Sequence, residues 1–206
     1  MPVTPRKAAA LPRNPDRSRS RILSAALKEF AAKGFAGARV DSIASRARIN
    51  KRMLYHYFGD KEELFKAVLR SKMCERKTLA DAVSGGPEET LPFWFQAACK
   101  DSGWVRLFQW EALEGNWQKV IEEKERLEEV DRWLQRIRQR QARGLISPDL
   151  DPRHVMLTMR SLTMFPVAFP QLTRMITGKS VFDPKFQQER SEFLKKLAVI
   201  FRPAGR

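Results

Sequence analysis

Residues 39–66, RVDSIASRARINKRMLYHYFGDKEELFK, hold the side chains of this chain best suited to chemistry on a partner. Lys51, Arg52, Tyr55 and His56 fall within two helical turns, and Arg39 and Lys61 flank them. They make no nucleophile–base pair. They are cations and hydrogen-bond donors, and their chemistry is recognition of a polyanion. A guanidinium at the position of Arg52 can pair bidentately with guanine O6 and N7. Tyrosine and histidine at 55 and 56 are better placed to bond phosphate oxygens, fixing register rather than reading sequence, and Lys51 stands beside them.

Presenting these groups together requires particular elements. Val40, Ile43, Ala44 and Ala47 recur at helical spacing, which predicts a short supporting helix over 40–47. Asn50 is a good N-cap for a second short helix. On that helix Leu54, Tyr57 and Phe58 share one inward stripe, so Arg52, Tyr55 and His56 point outward, with Lys51 and Met53 on the shoulders. Gly59-Asp60 ends it, and Asp60 caps a further helix whose first turn carries Glu62 and Glu63. Lys61 opens that helix, where backbone amides and the helix dipole already favour an anion. Two helices across a tight turn can be a DNA reader or only a helical packing unit with a solvated basic face. Spacing alone leaves both open.

The stretch resembles the TetR family of bacterial one-component repressors over about residues 20–70. The residues that carry the likeness are Leu54-Tyr55-His56-Tyr57-Phe58, Lys61-Glu62-Glu63-Leu64, Gly34-Phe35, and Val40 with Ile43-Ala44. The resemblance implies a helix-turn-helix, with Arg39, Lys51, Arg52, Tyr55, His56 and Lys61 as DNA contacts. Two positions depart from the family pattern. Arg48 stands where the turn usually has glycine, and a non-glycine residue in a left-handed turn costs roughly 1–2 kcal/mol. Arg39 stands where a threonine usually meets phosphate, a contact that arginine can also make.

Composition agrees with an anionic partner. The 206 residues carry a net charge of +15. Residues 1–72 hold 17 Lys/Arg against 6 Asp/Glu, whereas the remaining residues are close to balanced. No apolar run is long enough to span a membrane, and the first twenty residues lack a signal-peptide core, so the expected location is cytoplasmic with no membrane partner. Cys74 and Cys99 imply neither a disulfide framework nor a metal site, and His56 and His154 lie on separate segments. No catalytic set, metal site or cofactor is expected, and the chain does not read as an enzyme.

The fold class reads as all-α, about nine helices, in three parts. Residues 1–15 form a proline-rich basic arm, expected to be disordered, 16–65 a helix-turn-helix domain, and 66–206 a helical regulatory and dimerisation domain. Ile22, Leu23, Ala26, Leu27 and Phe30 stripe the first helix up to Gly34. Ser84-Gly85-Gly86-Pro87 is the clearest break. The acidic run from Glu122 to Glu129, interleaved with Lys124, Arg126 and Arg132, reads as a solvated ion-paired face. Residues 151–177 read as one helix kinked at Pro166 and Pro170, apolar over most of its circumference, and 183–201 as the last helix.

For the C-terminal part the resemblance implies a ligand pocket and a dimer interface. The residues suited to the pocket are Trp104, Phe108, Trp110, Met156, Met159, Arg160 and Phe165. A cation such as Arg160 on an apolar helix needs an acidic partner from protein or ligand. Those suited to a homodimer interface are Leu162, Phe165, Phe169, Phe193, Leu197 and Ile200. The expected function is a dimeric repressor that binds a palindromic double-stranded operator and is released by a small apolar or aromatic effector. The alternatives are a ligand-independent regulator and a nucleoid-type binder without sequence preference.

Overall fold

The computed structural model describes residues 15–114 and 120–203, so of the expected basic arm only Pro15 is described, as the first residue of a helix. Among the described residues the chain forms ten α-helices, a closing 3-10 turn at Ala198–Phe201 and no strand.

The first core is built by α1 (Pro15–Gly37), α2 (Val40–Ala47), α3 (Lys51–Phe58) and the first half of α4 (Lys61–Asp81). The inward stripes expected from sequence supply it: Ile22, Ala26 and Phe30 from α1, Ile43 and Ala44 from α2, Leu54 and Phe58 from α3, Leu64 and Phe65 from α4. The boundaries of α2 and α3 coincide with their local signals. Asn50 accepts a hydrogen bond from the Met53 amide, and Asp60 accepts one from the Glu63 amide, each satisfying a helix-start donor.

The turn between α2 and α3 bears out the oddity of Arg48. It takes the left-handed conformation that glycine normally supplies, with φ 53° and ψ 48°. Arg21 of α1 reaches across and donates to the Ala47 and Arg48 carbonyls, which pins the turn against its backbone strain.

The second core joins α5 (Pro87–Lys100), α7 (Glu123–Ala142), α8 (Pro152–Ala168) and α10 (Pro184–Leu197), centred on Leu91, Phe95, Ile137, Val155, Phe186 and Leu194. The linking element is α6 (Ser102–Glu114), which lies along α1 and gives Trp104 and Leu107 to the first core. Helix α4 continues from the first core past the 65/66 boundary towards the second.

Residues 151–177 do not form one kinked helix. They divide into α8 and α9 (Pro170–Thr177) at Phe169, whose φ −122° and ψ 64° are not helical. A proline disfavours helical backbone in the residue before it, so Pro170 ends α8 at that point. Pro166 stays inside α8. Each proline lacks an N–H and so frees the carbonyl four residues back. Arg190 of α10 donates to the Leu162 carbonyl at 3.0 Å, and Thr173 donates to the Pro166 carbonyl at 3.1 Å. Both orphaned acceptors are thereby satisfied, which is why the break costs little. The last predicted helix, 183–201, likewise tightens into the 3-10 turn after Leu197.

Candidate nucleic-acid interface and ligand cavity

Helix α3 exposes Lys51, Arg52, Tyr55 and His56 on one face while Leu54 and Phe58 are buried on the other. Lys51 pairs with Asp41 of α2 at 3.0 Å, and that carboxylate raises its pKa. Both side chains are exposed, so the pair is weak and a phosphate can replace it. Arg39 is exposed at the N-terminus of α2. Lys61 is placed differently from a free phosphate contact. Its Nζ donates to the Ala36 carbonyl at 3.2 Å and sits 4.9 Å over the Phe35 ring, tying the end of α1 to the start of α4.

A residue that sequence reasoning missed orders this interface. Glu29 of α1 has a buried carboxylate that accepts from Lys33 at 2.8 Å and from the Arg39 amide at 3.4 Å, with Arg46 3.7 Å away. Helix α2 has no side-chain cap of its own, so Glu29 supplies an acceptor for its N-terminus from another helix. The Lys33 hydrogen bond leads in holding its pKa below the usual carboxylate range, against the opposing effect of burial. The signal in sequence was a lone acid within the apolar stripe of the first helix.

The joint between the two cores is equally specific. Helix α1 breaks at Gly34, with φ 70° and ψ 179°. The Ala31 carbonyl, one turn earlier, accepts from Arg106 Nε at 2.6 Å and from Trp110 Nε1 at 3.2 Å, and Glu114 accepts from the Ala36 amide at 3.3 Å. Trp110 therefore does not line a pocket as expected. It is six residues on from Trp104, a rotation of about 240° around the helix, and it faces α1.

The cavity itself measures about 430 Å³. Trp104, Phe108, Met156, Met159 and Arg160 line it, as the sequence suggested. Phe165 does not, because it stands five residues beyond Arg160, about 140° away around α8, and is exposed against Phe169 with ring centroids 5.0 Å apart. The missed walls are Met73 and Arg76 of α4, Leu91 and Trp94 of α5, and Glu129, Val130 and Trp133 of α7. The charged stretch of α7 is thus not simply a solvated face. Its Arg126 pairs with Glu111 at 2.7 Å and its Glu129 looks into the cavity. Buried Arg140, also on α7, lines the cavity and donates to the Gly85 and Val83 carbonyls at 2.8 and 2.9 Å, tying the α4–α5 loop to α7.

Of the expected interface residues, Phe165, Phe169, Phe193 and Ile200 are exposed, and Leu162 and Leu197 are half-buried. Leu172, Met175 and Ile176 of α9, none of them anticipated, extend the same exposed apolar character, Met175 being 79% accessible. Burial pushes the Cys99 thiol up to about 11. No helix among the described residues is long and apolar enough to cross a membrane.

Two family models match this sequence. One describes bacterial regulatory proteins of the tetR family and covers residues 22–68. The other describes a tetracyclin repressor-like C-terminal domain and covers residues 94–198. The HTH-type transcriptional repressor SCO4008 of Streptomyces coelicolor is 34% identical over 172 residues, which is 81% of this chain and 86% of that protein. The putative transcriptional regulator SCO4942, also of Streptomyces coelicolor, superposes with a TM-score of 0.72 at 29% identity, over 90% of this chain and 99% of that one. The regulator FadR from Bacillus subtilis, solved with stearoyl-CoA, shares the fold with a TM-score of 0.60 at 17% identity, over 85% of this chain and 96% of that one.

Proposed function

The chain belongs to the TetR family of bacterial regulatory proteins, a DNA-binding repressor rather than an enzyme, and on that premise we propose that it is a ligand-released dimer on a palindromic operator. Residues 16–65 are the reading head in this proposal and 66–206 the sensor and dimer module. Arg52 reads bases, while Arg39, Lys51, Tyr55 and His56 hold phosphates. Lys61 spends one of its three donors on the Ala36 carbonyl and offers the others to a phosphate, which fixes where its ammonium can meet the backbone.

The observation that carries the proposal is the reach of α4. Its Met73 and Arg76 form part of the cavity wall, and the same helix begins at Lys61 beside the reading helix. A small organic molecule that shifts α4 from within the cavity changes the position of the reading head, and with it the spacing between two heads in a dimer. The partner for dimerisation is a second copy, through the exposed apolar side chains of α8, α9 and α10.

The test is footprinting on the DNA beside the coding gene. The expected result is a protected palindrome whose half-sites lie about 10–10.5 bp, or a multiple of that, apart. Uniform protection at all sequences, with a steep salt dependence, would instead mean a nucleoid-type binder.

A further inference from the structure

Among the described residues, five arginines and a single acid, Glu129, provide the charged lining of the cavity. Three of the arginines are already engaged. Arg126 pairs with Glu111, Arg153 pairs with Asp151, and Arg140 is held by loop carbonyls. Arg76 and Arg160 remain, and among the described residues neither has an acid within ion-pair distance. Arg76 instead rests its guanidinium 5.1 Å from the Trp94 ring centroid and 5.6 Å from that of Trp104. Arg160 is largely enclosed by protein and lines the cavity. Burial first, and then the charge of Arg160, push the Arg76 pKa down to about 10, so the two cations repel across the cavity. Asp101, Glu129 and Glu75 act favourably on Arg76 from a distance, and Glu129 does the same for Arg160.

An enclosed cation without an ion pair is costly, and two lining one cavity are costlier still. Arg140 keeps its charge too, but its donors are spent on the Gly85 and Val83 carbonyls, so Arg76 and Arg160 are the cations left to meet an anion in the cavity. Around them the walls are apolar and aromatic: Trp94 and Trp133 meet with ring centroids 5.0 Å apart, and Trp104 and Phe108 with centroids 4.7 Å apart.

We infer that the effector is a hydrophobic monocarboxylic acid with an aromatic body, its carboxylate bridging Arg160 and Arg76 and its rings lying among Trp94, Trp104, Trp133 and Phe108. This rests on the reading of the cavity as the effector site. A single carboxylate supplies acceptors to both guanidiniums. A neutral molecule leaves both without an ion pair, a cation adds repulsion, and a dianion brings a second negative charge up against Glu129.

The experiment is calorimetric titration of the full-length protein, without DNA, with four probes that share one ring system: 2-naphthoate, 2-naphthylmethanol, 2-naphthylmethylamine and 2-naphthyl phosphate. The naphthoate is expected to bind at least tenfold more tightly than the alcohol and the amine, and more tightly than the phosphate. Arg160→Met should abolish the tenfold advantage of the naphthoate over the alcohol, and Arg160→Lys should keep part of it. Glu129→Gln, which needs no rebuilding of the wall, should strengthen naphthoate and bring the phosphate level with it or ahead. No naphthoate binding, an alcohol or amine that binds as tightly, or an advantage that survives in both Arg160→Met and Arg76→Met would overturn the inference. Operator release by bound naphthoate is measured separately, so a molecule that binds as expected without releasing DNA would refute the regulatory reading and leave the charge selectivity standing.

Discussion

Replacing Gly34 with alanine tests whether the joint between reading head and sensor is built as described. The backbone at Gly34, φ 70° and ψ 179°, lies in a region that is essentially glycine-only, where a side chain costs on the order of 1–3 kcal/mol. The new methyl would overlap Glu114 Oε1 and come within 2.9 Å of Trp110 Cε3. Glu114 is exposed and can swing aside. Trp110 is held, and moving it forfeits the Nε1 bond to Ala31, about 0.5–1.5 kcal/mol. Against this, alanine lowers the entropy of the unfolded chain, a gain of roughly 0.4–1 kcal/mol. The net loss is about 1–3 kcal/mol, and for a chain of this size that lowers the melting temperature by roughly 3–10 °C. Thermal unfolding followed by circular dichroism reads it directly. In a Trp110→Ala background the steric part disappears and only the backbone part should remain, so the two changes should be less than additive. A Gly34→Ala protein that melts with the wild type would refute the reasoning, because residue 34 would then be free to adopt ordinary helical backbone.

Arg52→Ala should cost about 1–3 kcal/mol on operator DNA and little on random DNA, read by anisotropy titration, and equal losses on both would demote Arg52 to a phosphate contact. Phe169→Glu combined with Phe193→Glu should give folded monomers that lose operator affinity, since both side chains are half-exposed to solvent and neither is buried in a core. Sedimentation that still finds dimers would move the interface elsewhere. Glu29→Gln should cost about 1 kcal/mol at neutral pH, at the low end for a hydrogen-bonded charge because Lys33 and Arg46 are half-exposed and screen it. The Glu29 pKa is lowered on folding, so its stabilisation is present above the ordinary carboxylate value of 4.5 and is lost as pH falls through the folded value. The gap between wild type and Glu29→Gln in urea unfolding should therefore narrow as pH falls below 4.5, and a gap that is unchanged on acidification would show that the charge plays no part.

Much of this molecule follows from signals that act within one or two helical turns. The stripe Val40, Ile43, Ala44, Ala47 and the caps at Asn50 and Asp60 set α2, α3 and the start of α4 because each satisfies backbone groups or an apolar face locally. The same local rule, that helix disfavours the residue before proline, divides α8 from α9 at Pro170, although the sequence pattern alone suggested a kink. The outward face of α3, with Lys51, Arg52, Tyr55 and His56, was legible for the same reason.

The cavity was legible only in part, because its wall comes from helices far apart in sequence. An apolar residue at helical spacing reads the same whether it meets a core, a cavity or a second copy. Trp110 and Phe165 thus share composition with Trp104 and Met159 but face α1 and the exterior instead. Glu129 and Trp133 look like part of a solvated charged helix until α7 is packed beside α8. Glu29 acquires its role only when α1 is brought against the start of α2, and Lys61 is drawn from a free helix start to the Ala36 carbonyl by the break at Gly34. Local hydrogen bonding and periodicity fix helices and their faces. Which face meets which neighbour, and so which charges are left without a partner, is decided by the packing of the whole chain.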